Sequence, residues 1–229
     1  MRRKTALITG ASRGLGKSLA LVFSSNGYNI ILHGRDEGRL NSVRQEVLKS
    51  KVDCYVVIGD ITEEQTIINL TNCAEKADID ILINNAGVYF QKPVDETSPY
   101  ELKNLLNVNL LSPILLTKGI FEIFKKKSSG LIININSVAG KSFGQLESAY
   151  CASKHGLRGF MGSFQFEALK YNVPIINIYS GAMSTDMTAE RGDTEKFIRT
   201  EEAARFIFEM SRDYSSMRIS EIDIFRKIY

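Results

Sequence analysis

The chain has 229 residues, 44% of them hydrophobic, enough for one good-sized core, and reads as a single domain over residues 1–229. Twenty-nine Lys and Arg against 26 Asp and Glu leave a net charge of +3, too small and too dispersed for a nucleic-acid partner. Three cysteines without close spacing (Cys54, Cys73, Cys151) indicate neither a disulfide framework nor a zinc site, and a reducing, cytoplasmic setting is expected.

In chain order, the apolar run after Met1-Arg2-Arg3-Lys4 ends at Gly10, too short to span a membrane, so no membrane association is expected. Short apolar runs then alternate with amphipathic stretches. "TALITG" precedes a helix over about Leu15 to Asn26, "NIILHG" one over Asp36 to Lys49, and "DCYVVIGD" one over Glu63 to Lys76. "DILINNAG", "GLIININS", "PIINIYSG" and a strand near "RISEIDIF" complete about seven strands. This alternation predicts an α/β fold: a doubly wound parallel sheet flanked by helices on both faces.

Thr62 followed by Gln65 suggests a capping box, and Ser98 before Pro99 an N-cap with proline at the first helical position. Pro99 to Lys127 reads as one long helix with a kink at Pro113, ending in a solvated Lys125-Lys126-Lys127 run that complements the helix dipole. Ala149 to Lys170 reads as a further helix. The stretch from Gly181 to Arg199 is the least regular and is expected to form a substrate loop or short helices.

Chemistry concentrates at three places. "ITGASRGLGKSLA" puts Gly10, Gly14 and Gly16 between a strand and a helix, where the backbone must reverse tightly and where free N–H groups can meet a pyrophosphate. At the tip of the second strand, where a ribose-binding carboxylate would favour NAD, stands Gly34; the next residue, Arg35, is a guanidinium, and Arg13 is a second cation. Asp36 is read as the N-cap of the next helix, which leaves Arg35 and Arg13 for a 2′-phosphate. In "AYCASK", Tyr150 and Lys154 lie one helical turn apart, where an ammonium favours the phenolate of a group that otherwise titrates near ~10. Cys151 has no histidine pattern to make it a nucleophile, and His33 and His155 read as structural or surface residues.

"TGASRGLG", with its Gly-x-x-x-Gly-x-Gly spacing, resembles the cofactor motif of the short-chain dehydrogenase/reductase family. "NNAG" ending at Gly87, "NVN" ending at Asn109, Ser137 and Tyr150-x-x-x-Lys154 resemble its later signatures, in family order from about Thr5 to Met187. The resemblance implies an NADP(H)-dependent oxidoreductase acting on a small carbonyl or secondary alcohol. It implies a proton donor at Tyr150, tuned by Lys154, which also holds the nicotinamide ribose; a carbonyl ligand at Ser137; and a water-linked proton path supported by Asn109. Cofactor contacts are implied at Gly10, Ser12, Arg13, Gly14, Leu15, Gly16, Arg35, Asp60 (towards adenine), Ile61, Asn85, Ala86, Gly87, Tyr150, Lys154, Gly181, Met183 and Thr185.

The chain departs from the family where Ser180 replaces a proline before Gly181, which predicts a looser turn, and where "RISEIDIFRKIY" lacks a glycine-rich close. The helices at 99–127 and 149–170 still offer a four-helix face, so a homodimer, or a homotetramer, is expected. The alternatives are a 3-oxoacyl thioester reductase docking an acidic carrier protein through a basic patch, and a dinucleotide sensor without catalysis. The second would be expected to lose Tyr150 or Lys154.

Overall fold

The computed structural model describes residues 2–185, 196–212 and 217–227. Seven strands form one parallel sheet: β1 (Thr5–Ile8), β2 (Asn29–Gly34), β3 (Cys54–Ile58), β4 (Ile81–Asn84), β5 (Leu131–Ser137), β6 (Ile175–Ser180) and β7 (Glu221–Ile224), in the order β3-β2-β1-β4-β5-β6-β7. Parallel strands need crossover connections, and helices supply them on both faces.

Strand alternation divides the core into two layers. Ala6, Ile8, Ile30 and Leu32 face α1 (Gly14–Ser25), α2 (Glu37–Leu48) and α7 (Thr200–Met210); Leu7, Ile31 and Leu82 face α3 (Glu64–Lys76), α5 (Ser112–Lys127) and α6 (Ser148–Ala168). The order reverses between β1 and β4, and the crevice outside their carboxyl ends is where such sheets bind ligands.

Local chemistry corrects two expectations. No capping box forms at Thr62. The Asp60 carboxylate accepts both the Thr62 amide (2.9 Å) and its hydroxyl (2.8 Å), closing a turn before the helix, and Glu63 becomes the N-cap residue. The capping box lies instead at α4 (Pro99–Leu106), where Ser98 accepts from the Glu101 amide and the Glu101 carboxylate accepts from the Ser98 amide.

The second correction concerns the helical run Pro99–Lys127, which is interrupted by a π-helical turn at Asn107–Leu111 before α5 begins. Pro113 has no N–H for the Asn109 carbonyl four residues back, and the Ser112 hydroxyl donates to the Asn107 carbonyl at 2.7 Å. Gly119 lies within α5, where a Cβ would come within 2.7 Å of Thr71 Oγ1, so it lets α5 approach α3.

By length and composition this run could cross a membrane, but half of its most apolar window is buried in the fold. At its end, Lys126 and Lys127 pair with Glu75 and Asp78, and Lys125 lies over the Tyr171 ring, so the basic run is engaged rather than simply solvated.

Candidate active site

A cleft of about 360 Å³ runs along the carboxyl ends of the strands, from Arg35 and Asp60 at one end to Ser137 and Tyr150 at the other. The glycine turn forms its floor. Gly10 and Gly14 adopt left-handed φ values of +66° and +53°. A Cβ on Gly16 would meet the Gly10 carbonyl oxygen at 2.2 Å, so only glycine lets α1 start this close to the strand.

The N-cap residue of α1 is Arg13, whose guanidinium is a donor only and cannot accept a backbone amide, and the first turn carries no carboxylate. The first amides of α1 therefore have no side-chain cap, which suits an incoming anion.

"NNAG" is revealed as the brace of that turn. The Asn85 side chain donates to the carbonyls of Thr9 (2.8 Å) and Gly10 (3.2 Å), while Thr9 Oγ1 accepts the amides of Asn85 (2.9 Å) and Ala86 (3.0 Å). Asn85 lines the cleft, but its amide group is committed to the backbone.

At the far end, Gly34 closes β2, and Asp36 caps α2 by accepting the Arg39 amide at 2.9 Å, as its sequence position suggested. Arg35 is largely exposed and approaches Asp60 at 3.4 Å. Hydrogen bonds from Thr62 and the Arg35 charge outweigh burial and hold the Asp60 carboxyl below its ordinary range. His33 is buried, Nε2 within 3.2 Å of the Gly59 carbonyl; burial lowers its pKa to about 4 and keeps it neutral, a structural residue beside the cleft.

Tyr150 and Lys154 both reach the other end from α6. Lys154 is only 6% exposed; Nζ lies 3.5 Å from the Ile135 carbonyl and 5.7 Å from the centre of the Tyr150 ring. Burial lowers its pKa to about 8. Ser137, the last residue of β5, lines the cleft and its Oγ accepts the Ala139 amide at 3.1 Å.

Asn109 is buried behind this end. Its side chain accepts the Val88 amide and donates to the Val88 carbonyl, both at 2.8 Å, and donates to Ser153 Oγ. A small cavity touches Asn109, Asn84 and Lys154.

Residues that sequence reasoning passed over also shape the site. Tyr89 stands edge-on to Tyr150, ring centres 4.9 Å apart, and donates to Glu147 at 2.7 Å. Three buried asparagines, Asn84, Asn134 and Asn177, are in register across β4, β5 and β6 and bonded in a row. Gly181, Met183 and Thr185 line the cleft above β6. After Ser180 the Gly181 amide donates to the Ile224 carbonyl, and Met183 and Ser184 are tied to Ile198. The rest of the expected substrate loop, residues 186–195, lies outside the described residues.

The residues present fit a nicotinamide dinucleotide: amides at a glycine turn for a pyrophosphate, cations at the adenosine end, and a buried lysine and a phenol at the reacting end.

Comparison with known proteins agrees. The short chain dehydrogenase family model matches residues 4–196. Mouse dehydrogenase/reductase SDR family member 7 is 33% identical over 187 residues, covering 79% of this chain and 55% of that protein, so the chain spans little more than half of its length. The 3-oxoacyl-[acyl-carrier-protein] reductase FabG of Buchnera aphidicola subsp. Schizaphis graminum is 30% identical over 190 residues, covering 82% and 77% of the two chains. A metagenomic short-chain oxidoreductase solved in complex with NADP is 28% identical, with a TM-score of 0.86 over 99% of this chain and 98% of that one. The chain belongs to the short-chain dehydrogenase/reductase family.

Proposed function

We propose that the protein is an NADP(H)-dependent oxidoreductase of small molecules, interconverting a carbonyl and a secondary alcohol. The observation that carries the reading is the convergence of Ser137, Tyr150 and Lys154 at one end of a cleft whose other end presents Arg13 and Arg35. When bound, the reduced dinucleotide supplies a hydride to the carbonyl carbon. The chain's own groups do the rest: Ser137 Oγ–H donates to the carbonyl oxygen and orients it, and Tyr150 gives that oxygen its proton. The Lys154 ammonium favours the resulting phenolate and holds the ribose.

Asn109 acts behind them. Pro113 leaves its carbonyl without an α-helical donor, and the small cavity beside Lys154 suits a water through which protons return to Tyr150. Gly34 at the place of an acidic residue, with the Arg35 guanidinium next to it, favours NADP(H), and the NADP complex of the metagenomic relative is in keeping with it. A cytoplasmic homodimer or homotetramer completes the proposal, the exposed Leu106, Leu111, Leu115 and Phe166 on the α4–α5 run and α6 being suited to self-association.

The 30% identity to FabG keeps a 3-oxoacyl thioester substrate as the second reading. Against it, Lys126 and Lys127 are bonded at the amino-terminal edge of the sheet, opposite the cleft, and do not form a carrier-docking patch beside it.

The test is titration with NADPH and NADH by fluorescence, followed by NADPH oxidation against ketones, diketones and 3-oxoacyl thioesters. Tight NADPH binding with turnover of a small ketone is expected; tight binding without any turnover favours the sensing role.

A further inference from the structure

Glu147 lies in the cleft and has no part in the proton transfer described above. It is the N-cap residue of α6, three before Tyr150, and one carboxylate oxygen accepts the Tyr89 hydroxyl at 2.7 Å while the Tyr89 ring packs edge-on against Tyr150. The two segments that carry the pair are stitched together. The Lys92 amide donates to the Leu146 carbonyl and the Gln91 side chain to the Gln145 carbonyl, both at 2.9 Å. Gly144 leaves room for this rotamer: a Cβ there would come within 2.3 Å of the other carboxylate oxygen. Glu147 is thus set into the wall beside the reacting phenol.

Arg13, Arg35 and Asp60 stand at the adenosine end; at the other end the buried Lys154 lies behind Tyr150, and the wall beyond Ser137 is made of Val88, Tyr89, Val138, Phe143 and Gly144. Among the described residues, Glu147 is the sole carboxylate at the Tyr150 end. A carboxylate only accepts hydrogen bonds, and in a partly enclosed cleft its charge is felt strongly by a substrate anion.

We infer that Glu147 is a specificity-determining residue that favours neutral hydroxy-ketones, whose second hydroxyl donates to its carboxylate, over keto acids, whose anion it repels. The inference rests on the reading of the site as a carbonyl reductase.

The test is kcat/KM with NADPH for butanone, acetoin and 2-oxobutanoate, in the wild type, Glu147→Gln and Tyr89→Phe, with NADPH affinity measured by fluorescence for each. The wild type is expected to prefer acetoin to 2-oxobutanoate by about tenfold or more. Glu147→Gln should narrow that ratio by about tenfold with NADPH affinity unchanged, and Tyr89→Phe should narrow it less. A wild type that turns over the keto acid faster than the hydroxy-ketone overturns the inference without any variant. An unchanged ratio in Glu147→Gln, with butanone still reduced, overturns the inference alone. No reduction of any of the three by a wild type that binds NADPH overturns both the inference and the carbonyl-reductase reading.

Discussion

Replacing Lys154 by methionine should make the protein more stable while abolishing turnover. The ammonium is 6% exposed, and its contacts, a 3.5 Å approach to the Ile135 carbonyl and a place over the Tyr150 ring 5.7 Å from its centre, are weak substitutes for water. Burial lowers its pKa from 10.5 to about 8. At about 1.4 kcal/mol per pH unit, that fall corresponds to a destabilisation of about 3 kcal/mol at neutral pH. Methionine fills a similar volume with no charge, so after losing the Ile135 contact the variant should gain about 2 kcal/mol. The sign follows from the direction of the shift. The penalty is fully present below pH 8, fades as pH rises towards 10.5, and vanishes where the lysine is neutral in both the folded and unfolded states. Urea unfolding of both proteins at pH 7 and pH 10 reads this directly: a higher midpoint for Lys154→Met at pH 7, and a smaller difference at pH 10. A variant less stable than wild type at pH 7, or one whose advantage grows with pH, refutes the reasoning.

Other expectations follow from the same geometry. Arg35→Ala should raise the NADPH dissociation constant about tenfold more than that of NADH, since in the proposed reading its guanidinium meets the 2′-phosphate; equal effects in the two titrations contradict it. Gly16→Ala should cost about 3 kcal/mol in urea unfolding and weaken dinucleotide binding, because the new Cβ would lie 2.2 Å from the Gly10 carbonyl oxygen, a backbone atom that cannot move aside cheaply. Asn109→Ala leaves the part-buried Val88 amide without its side-chain acceptor and should cost about 1 kcal/mol, with a loss of kcat larger than any change in NADPH affinity.

The alternation of short apolar and amphipathic runs was sufficient to read the seven strands, and the glycine spacing located the cleft, because both signals are local. The π turn at Asn107–Leu111 was hidden, since a missing proline N–H permits a helix either to kink or to widen, and the Ser112 bond to Asn107 decides between them. Thr62 obeyed the spacing of a capping box, yet Asp60, two residues earlier, captured both its amide and its hydroxyl. Tyr89 and Glu147 are 58 residues apart in the chain, and no local pattern joins them. The asparagine row likewise exists only once β4, β5 and β6 are neighbours in a fixed register.

The central claim, that Tyr150 supplies the proton at a dinucleotide cleft, is tested most directly by Tyr150→Phe. NADPH affinity by fluorescence and NADPH oxidation with the best ketone are measured on the same preparations of variant and wild type. The account predicts nearly unchanged affinity, since the phenol lies at the reacting end, and turnover reduced by at least about a hundredfold. Substantial residual reduction by a variant that still binds NADPH would contradict it.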